Sequence, residues 1–179
     1  IDLKKRGLLP GNTAVSTVMC NLGLSHALRD AGIELVQTKV GDRYVLEAMR
    51  EGGFAIGGEQ SGHMIFLKHN STGDGLVTAL QFLAACRRAG ASVEEAARVM
   101  TRFPQTLINV EVADKHAVDG NAAVREAVAA AEAALGDSGR VLLRPSGTEP
   151  VVRVMVEAAC AEDAERHARA IAEVVEREV

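Results

Sequence analysis

Along the first hundred positions, the spacing of apolar residues alternates between a strand pattern and a helix pattern. Short β-branched and apolar runs alternate with segments whose apolar positions fit one face of a helix. The predicted strands cover 12–18, 33–40, 54–56 and 64–68, and the predicted helices cover 22–31, 44–50, 75–88 and 92–101. Strands that alternate with helices in this way predict a layered α/β domain with a largely parallel sheet.

Pro104 interrupts the helical pattern and disfavours helical geometry at the residue before it. We therefore place a domain boundary there, which gives a first domain over 1–104 and a second over 105–179. In the second domain the predicted strands cover 106–112, 140–143 and 151–157, and the predicted helices cover 121–135 and 162–179. The expected fold class is α/β: a layered βαβ domain followed by a smaller α+β domain.

Composition limits the classes of ligand that the chain can attract. The 179 residues are 47% hydrophobic, enough for a packed core, and the formal net charge is -4. No overall positive field exists to attract nucleic acid or an anionic membrane surface, so we expect neither as a partner. An anionic ligand would have to be held by a local cluster of cations.

Cysteine spacing and hydropathy predict the compartment. The three cysteines are far apart and odd in number, which indicates neither a disulfide framework nor a metal site. No apolar run approaches the roughly 20 residues of a membrane helix. The first ten residues lack the apolar core of a signal peptide. We therefore expect a cytoplasmic protein.

The segment 144–150, between two apolar strands, has a composition suited to holding an anion. Arg144 can direct two donors to phosphate oxygens, while Ser146 and Thr148 offer hydroxyls. Gly147 lets backbone N–H groups approach a ligand closely, and Arg153 on the next strand can supply a second guanidinium. The alternative is an ordinary hairpin loop, because Pro, Ser and Gly also favour turns.

A second polar segment, 57–63, also lies between two predicted strands. Glu59 can accept hydrogen bonds from two adjacent sugar hydroxyls, and Ser61 can donate or accept. His63 has a side chain that suits proton transfer near neutral pH. The alternative for His63 is a purely structural hydrogen-bonding role.

Both segments resemble signature loops of the α-D-phosphohexomutases. The residues 58–63 (Gly-Glu-Gln-Ser-Gly-His) are similar to the sugar-binding loop of that family. The residues 144–150 (Arg-Pro-Ser-Gly-Thr-Glu-Pro), with Arg153, are similar to its phosphate-binding loop. The segments 17–24, 39–44 and 72–75 resemble the bacterial phosphoglucosamine branch in particular.

The resemblance implies a role for each of eight residues. His63 would be a general acid or base, and Glu59 and Ser61 would bind the sugar. The expected phosphate ligands are Arg144, Ser146, Gly147, Thr148 and Arg153.

The resemblance also implies that the chain is the third and fourth of four domains. The other two domains would carry a phosphorylated serine and an Asp-rich Mg²⁺ loop, and no Asp-Gly-Asp-x-Asp-Arg sequence occurs here. We therefore expect no metal ligand in this chain, and no activity without those domains. Their presence as partners, and a homodimer of the longer enzyme, are what the family implies.

The implied reaction interconverts glucosamine 6-phosphate and glucosamine 1-phosphate. The phosphoserine would donate its phosphate to form glucosamine 1,6-bisphosphate, for which glucose 1,6-bisphosphate can stand in as an activator. Two alternatives remain open: a phosphomannomutase or phosphoglucomutase of the same superfamily, and a non-catalytic module that binds phosphosugars.

Overall fold

The computed structural model describes residues 1–179 and divides into two compact units, Ile1–Arg102 and Phe103–Val179. The first unit contains five helices and four strands. The helices are α1 (Asp2–Lys5), α2 (Leu22–Asp30), α3 (Asp42–Gly52), α4 (Gly75–Ala89) and α5 (Val93–Ala97). The strands are β1 (Thr13–Thr17), β2 (Glu34–Thr38), β3 (Ile56–Gly58) and β4 (Met64–Phe66).

The sheet of the first unit has the order β2-β1-β3-β4. β1 pairs in parallel with both β2 and β3, whereas β4 returns antiparallel to β3. Four of the five β1 residues are buried, as expected for an inner strand of a layered sheet. The expected α/β fold class, with a largely parallel sheet, is confirmed.

Side chains cap three helices of the first unit, α2, α4 and α5, at their N-termini. Asn21 accepts from the N–H of Gly23 before α2, and Asp74 accepts from the N–H of Val77 before α4. Ser92 and Glu95 have the three-residue spacing that predicts a capping box, and the structure confirms it at the start of α5, because each accepts from the backbone N–H of the other. These caps fix where the preceding loops end.

The large apolar residues of α4 do not all face the core. Leu76, Leu80 and Leu83 are spaced i, i+4 and i+7 and are 72%, 57% and 53% exposed, and Phe82 is also exposed. Helix α4 is present where the pattern predicts it, but Cys86 is its only buried residue. Hydrophobicity therefore identified the helix without identifying the side that it buries.

The second unit is a three-stranded antiparallel sheet with two helices. Its elements are β5 (Gln105–Glu111), α6 (Ala122–Leu135), β6 (Gly139–Pro145), β7 (Val151–Ala158) and α7 (Ala161–Glu178). The strand order is β5-β7-β6, so the last strand in sequence lies in the centre. Alternate β7 residues, Val152, Val154 and Val156, are fully buried in a core shared with α6 and α7. The predicted smaller α+β unit is confirmed.

All seven strands differ from the sequence prediction at one or both ends, and two of these differences bear on the packing and on the candidate site. Phe54 precedes β3 instead of belonging to it, and packs against the core beside Met49. Arg144 and Pro145 were assigned to a loop but belong to β6, because the ladder with β7 continues to the pair Pro145–Val152. None of the seven helices is both long and apolar enough to cross a membrane.

Candidate functional site

The polar segment of the first unit is a five-residue hairpin loop, 59–63, between β3 and β4. The N–H of Glu59 donates to the carbonyl of His63 at 2.9 Å, and the N–H of Gly62 donates to the carbonyl of Glu59 at 3.0 Å. The hydroxyl of Ser16 on β1 donates to the carbonyl of Gly58 at 2.8 Å. The start of the loop is therefore fixed to the inner strand of the sheet.

Glu59 and Ser61 present oxygen atoms on this loop. The Oε1 atom of Glu59 accepts from the N–H of Gly41 at 3.1 Å, and its Oε2 atom accepts from no group in the chain. The Ser61 side chain is exposed and its hydroxyl has no protein partner. Glu59 therefore has one oxygen that holds the loop and one that a ligand hydroxyl can reach.

His63 is held between two segments that precede helices. Its Nε2 atom lies 3.6 Å from the Oδ2 atom of Asp42, beyond hydrogen-bond distance, and is buried without a partner. A Cβ atom added at Gly73 would lie 2.2 Å from the ring, so the ring occupies the space that any other residue at 73 would fill. Asp42 is the first residue of α3, and its carboxylate approaches the histidine ring.

The second polar segment is also a five-residue hairpin loop, 146–150, between β6 and β7. Arg144 on β6 lies directly opposite Arg153 on β7. Directly opposed residues of an antiparallel pair project to the same face, about 5 Å apart at Cβ. Two guanidinium groups are therefore presented together beside this loop.

The charges of this pair are only partly compensated. Burial, and secondly the neighbouring Arg153, hold the pKa of Arg144 below its ordinary value. Arg153 donates from Nη2 to the Oε2 atom of Glu149 at 2.6 Å, whereas its Nε atom is buried without a partner. Of the two arginines only Arg153 has a carboxylate partner, so an anion would complete the charge balance.

The loop also contains N–H groups that have no acceptor in the chain. Ser146 is 3% exposed, its N–H donates to the carbonyl of Val151 at 2.9 Å, and its hydroxyl accepts from the N–H of Glu149 at 3.3 Å. Gly147 and Thr148 are exposed, and their N–H groups donate to no acceptor in the chain. A Cβ atom added at Gly147 would meet nothing within 4 Å, so the space above the loop is open.

Lys115 contacts this loop and was missed by sequence reasoning. Its Nζ atom donates to the carbonyl of Ser146 at 2.6 Å and to that of Glu149 at 3.3 Å. Lys115 lies 31 residues before Ser146, in an irregular segment after β5, so no local pattern relates the two. It is the only lysine in residues 103–179, which is the one signal that could have singled it out.

The structure contains no group of three His, Cys, Asp or Glu side chains that could hold a metal ion. Mg²⁺ prefers several oxygen ligands in octahedral geometry. The residues of this chain do not fit such a site, and no step of the chemistry described below is assigned to a metal bound here.

Family models match most of the sequence. The α/β/α domain III of phosphoglucomutase/phosphomannomutase matches residues 1–103, and the C-terminal domain of the same enzymes matches residues 107–174. The chain belongs to the phosphoglucomutase/phosphomannomutase family. Both candidate loops therefore lie in matched family domains, one in domain III and one in the C-terminal domain.

Relatives within the family include proteins from Thermobifida fusca and Frankia alni. The phosphoglucosamine mutase of Thermobifida fusca is 56% identical over all 179 residues, which are 40% of that protein. The phosphoglucosamine mutase of Frankia alni is 60% identical over 88% of this chain and 35% of that protein. The chain thus spans about 40% of the length of such relatives or less.

A solved structure also shares the fold. The N-acetylphosphoglucosamine mutase of Aspergillus fumigatus superimposes with a TM-score of 0.81 at 20% identity, over 98% of this chain and 40% of the other.

Proposed function

We propose that this chain is the sugar- and phosphate-binding part of a phosphoglucosamine mutase. Residues 1–104 would act as the sugar-binding domain, and residues 105–179 as the phosphate-binding domain. The observation that carries the proposal is the direct opposition of Arg144 and Arg153 beside an open loop with two unpartnered N–H groups. Such an arrangement needs an anion, and a sugar phosphate supplies one.

The phosphate group would be held by the second unit. Arg144 donates to phosphate oxygens, and Arg153 contributes through the guanidinium that now contacts Glu149. Ser146, Gly147 and Thr148 contribute hydroxyl or N–H donors from the loop. A phosphate dianion placed there relieves the repulsion between the two arginines. Its role in catalysis is positioning, because phosphoryl transfer depends mainly on the alignment of the reacting oxygens.

The sugar ring would be bound by the 59–63 loop of the first unit. The Oε2 atom of Glu59 accepts from a ring hydroxyl, and the Ser61 hydroxyl donates to or accepts from another. His63 is the proposed general acid or base. It would take the proton of the attacking sugar hydroxyl or return one to the leaving oxygen.

The phosphoryl group itself would come from a serine outside this chain. The serine O–P bond breaks as a sugar hydroxyl forms a new O–P bond, which gives glucosamine 1,6-bisphosphate. After the bisphosphate turns over, the other phosphate returns to the serine and the isomeric monophosphate leaves. Mg²⁺, when bound elsewhere in the longer protein, would neutralise charge on the transferred group. This chain alone should therefore bind phosphosugars without turning them over.

The choice of an amino sugar is supported by the relatives from Thermobifida fusca and Frankia alni, which are named phosphoglucosamine mutases. A mutase of this specificity would supply glucosamine 1-phosphate for amino-sugar and peptidoglycan precursor synthesis in the cytoplasm. Its partners would be the phosphosugar and the remaining domains of the same protein. Phosphomannomutase and phosphoglucomutase activities are the competing specificities.

Calorimetric titration of the chain with glucosamine 6-phosphate and with glucose 1,6-bisphosphate tests the binding role. We expect the wild type to bind, and the Arg144→Ala variant to lose at least about tenfold in affinity, because a charged hydrogen-bond donor is removed. Arg125→Ala removes one exposed positive charge from α6 and serves as the matched control. Equal affinities of the Arg144→Ala variant and the wild type would refute the phosphate site.

Assays of the longer protein test the reaction. The turnover rate should be greatest with glucosamine phosphates, lower with glucose or mannose phosphates, and absent for this chain alone. A higher rate with mannose or glucose phosphate would replace the proposed specificity. Turnover by residues 1–179 alone would refute the proposal that the reaction requires the other domains.

A further inference from the structure

Lys115 reaches the phosphate loop from a distant part of the second unit. Its two hydrogen bonds go to backbone carbonyl oxygens, those of Ser146 and Glu149, at the two sides of the Gly147–Thr148 turn. A lysine ammonium group has three donors and no acceptor, so two of its three donors are used on this loop.

The atoms that Lys115 contacts are those that would oppose an anion. Carbonyl oxygens carry partial negative charge, and an anion next to them is repelled. With these two carbonyls directed to the ammonium group, the N–H groups of Gly147 and Thr148 between them have no acceptor in the chain. Successive N–H groups aimed at one point form an anion-binding concavity.

Lys115 also differs from the arginines in what it can reach. Arg144 and Arg153 lie on the strands that border the loop, with a buried, unpartnered Nε atom on Arg153. The Lys115 Nζ atom is 2.6 Å from a carbonyl of the loop itself and is partly buried there. Lys115 therefore places a positive charge next to the loop while two of its three donors are bound by the protein.

We propose that Lys115 is a positioning residue of the phosphate site: it fixes the 146–149 turn so that the Gly147 and Thr148 N–H groups face the ligand phosphate. This inference rests on the proposed function for the identity of the ligand. The positioning itself is a property of the chain without ligand. The two can therefore be tested separately.

The test compares Lys115→Met and Lys115→Arg with the wild type and with Arg125→Met, which removes one exposed positive charge from α6. Glucose 1,6-bisphosphate affinity is measured by calorimetry. Backbone order parameters of Gly147 and Thr148 are measured by NMR without ligand. Circular dichroism confirms folding, and Lys115→Gln replaces Lys115→Met if the latter does not fold.

We expect Lys115→Met to weaken bisphosphate binding at least about tenfold and to lower both order parameters, because two hydrogen bonds from a charged donor are lost. Lys115→Arg should recover binding to within about threefold of the wild type, because a guanidinium can donate to both carbonyls. Arg125→Met should change neither quantity.

Unchanged order parameters in Lys115→Met would overturn the positioning role. An affinity loss equal to that of Arg125→Met would also overturn it, since net charge alone would then explain the effect. Absence of binding by the wild type would instead refute the phosphate site of the proposed function. The order parameters would then still decide whether Lys115 fixes the turn.

Discussion

The loops 59–63 and 146–150 have the same length and the same hairpin setting, but different forces hold them. The first is closed by its own backbone and linked through Glu59 to the N–H of Gly41, with no cation hydrogen-bonded to it. The second is also closed by its backbone, through the Ser146 N–H and the Val151 carbonyl, but it is held in addition by Lys115 and by the Arg153–Glu149 ion pair. Neutral donors thus hold the first loop, whereas cations add to the neutral hydrogen bonds of the second.

Under the proposed function, the difference suits the two parts of a phosphosugar. Neutral hydroxyls need acceptors and donors in fixed places, which the first loop presents without an excess of charge. A phosphate needs cations, and the second loop concentrates them at the cost of repulsion between Arg144 and Arg153. We therefore expect mutations in the first loop to act mainly on stability, and mutations in the second to act mainly on anion binding.

The largest stability effect is expected at Gly73. Alanine there would bring Cβ to 2.2 Å from the His63 ring, so the ring must leave its place. Overpacking of this kind costs about 1–3 kcal/mol. The free energy of opening of the first unit, measured by hydrogen exchange of the β1 amides, should fall by that amount.

Gly75→Ala is the matched control for Gly73→Ala, because an added Cβ at Gly75 meets nothing within 4 Å. Combining Gly73→Ala with His63→Ala should restore most of the lost stability. Equal stability of Gly73→Ala and Gly75→Ala would show that the histidine ring is not packed as described.

A smaller effect is expected from Glu59. The Glu59→Ala variant leaves the half-buried N–H of Gly41 without its acceptor, at a cost of about 1 kcal/mol. Glu59→Gln keeps an acceptor oxygen and should lose less than half as much stability, while it still weakens sugar-phosphate binding. Parallel unfolding and calorimetric titrations separate the two quantities. If Gln and Ala destabilise equally, the Gly41 contact does not hold the loop.

Sequence patterns predicted the elements better than their orientations. The strand and helix alternation around β1 and β3 and the capping box at Ser92 were correct because they depend on local periodicity and local hydrogen bonds. The exposure of the α4 leucines was not predicted. An apolar stripe shows that a helix has a hydrophobic face, but not whether another element covers that face.

For the candidate site, the sequence identified loops but not their long-range contacts. Arg144 was placed in a loop, although strand pairing with Arg153 is what sets the two guanidinium groups side by side. Lys115 donates to Ser146, which lies 31 positions later in the chain. Gly73 leaves space for the ring of His63, which lies ten positions earlier. Such contacts follow from the fold, so no local motif indicates them.

A modest gain in stability is expected from removing repulsion in the second loop. Arg144→Met should stabilise the ligand-free second unit by about 0.2–1 kcal/mol, because like charges directly opposite on neighbouring strands are unfavourable. Arg153→Met removes the same repulsion but also the ion pair with Glu149, so its gain should be smaller. Amide exchange of β7 measures both. Destabilisation by Arg144→Met would show that the pair is not repulsive in the absence of ligand.

The smallest expected effect is on the pH dependence of stability, at Asp74 in the segment that packs against His63. Asp74, next to Gly73, accepts from the N–H of Val77 at 2.9 Å and from the Asn70 amide at 3.2 Å. The backbone hydrogen bond from Val77, with help from Asn70, holds the pKa of Asp74 below its ordinary value. A carboxyl group with a lowered folded-state pKa stabilises the protein above its unfolded-state pKa, and this contribution is lost as the pH falls through the folded-state pKa.

Asp74→Asn therefore separates charge from capping, since Asn caps a helix about as well as Asp. The wild type should be slightly more stable than this variant at neutral pH, and the difference should vanish on acidification below the folded-state pKa of Asp74. Asp30→Asn, at an exposed residue with only a 3.9 Å contact to Arg29, is the control. A wild-type advantage that grows in acid would contradict the sign, and the cap of α4 would then owe nothing to the charge of Asp74.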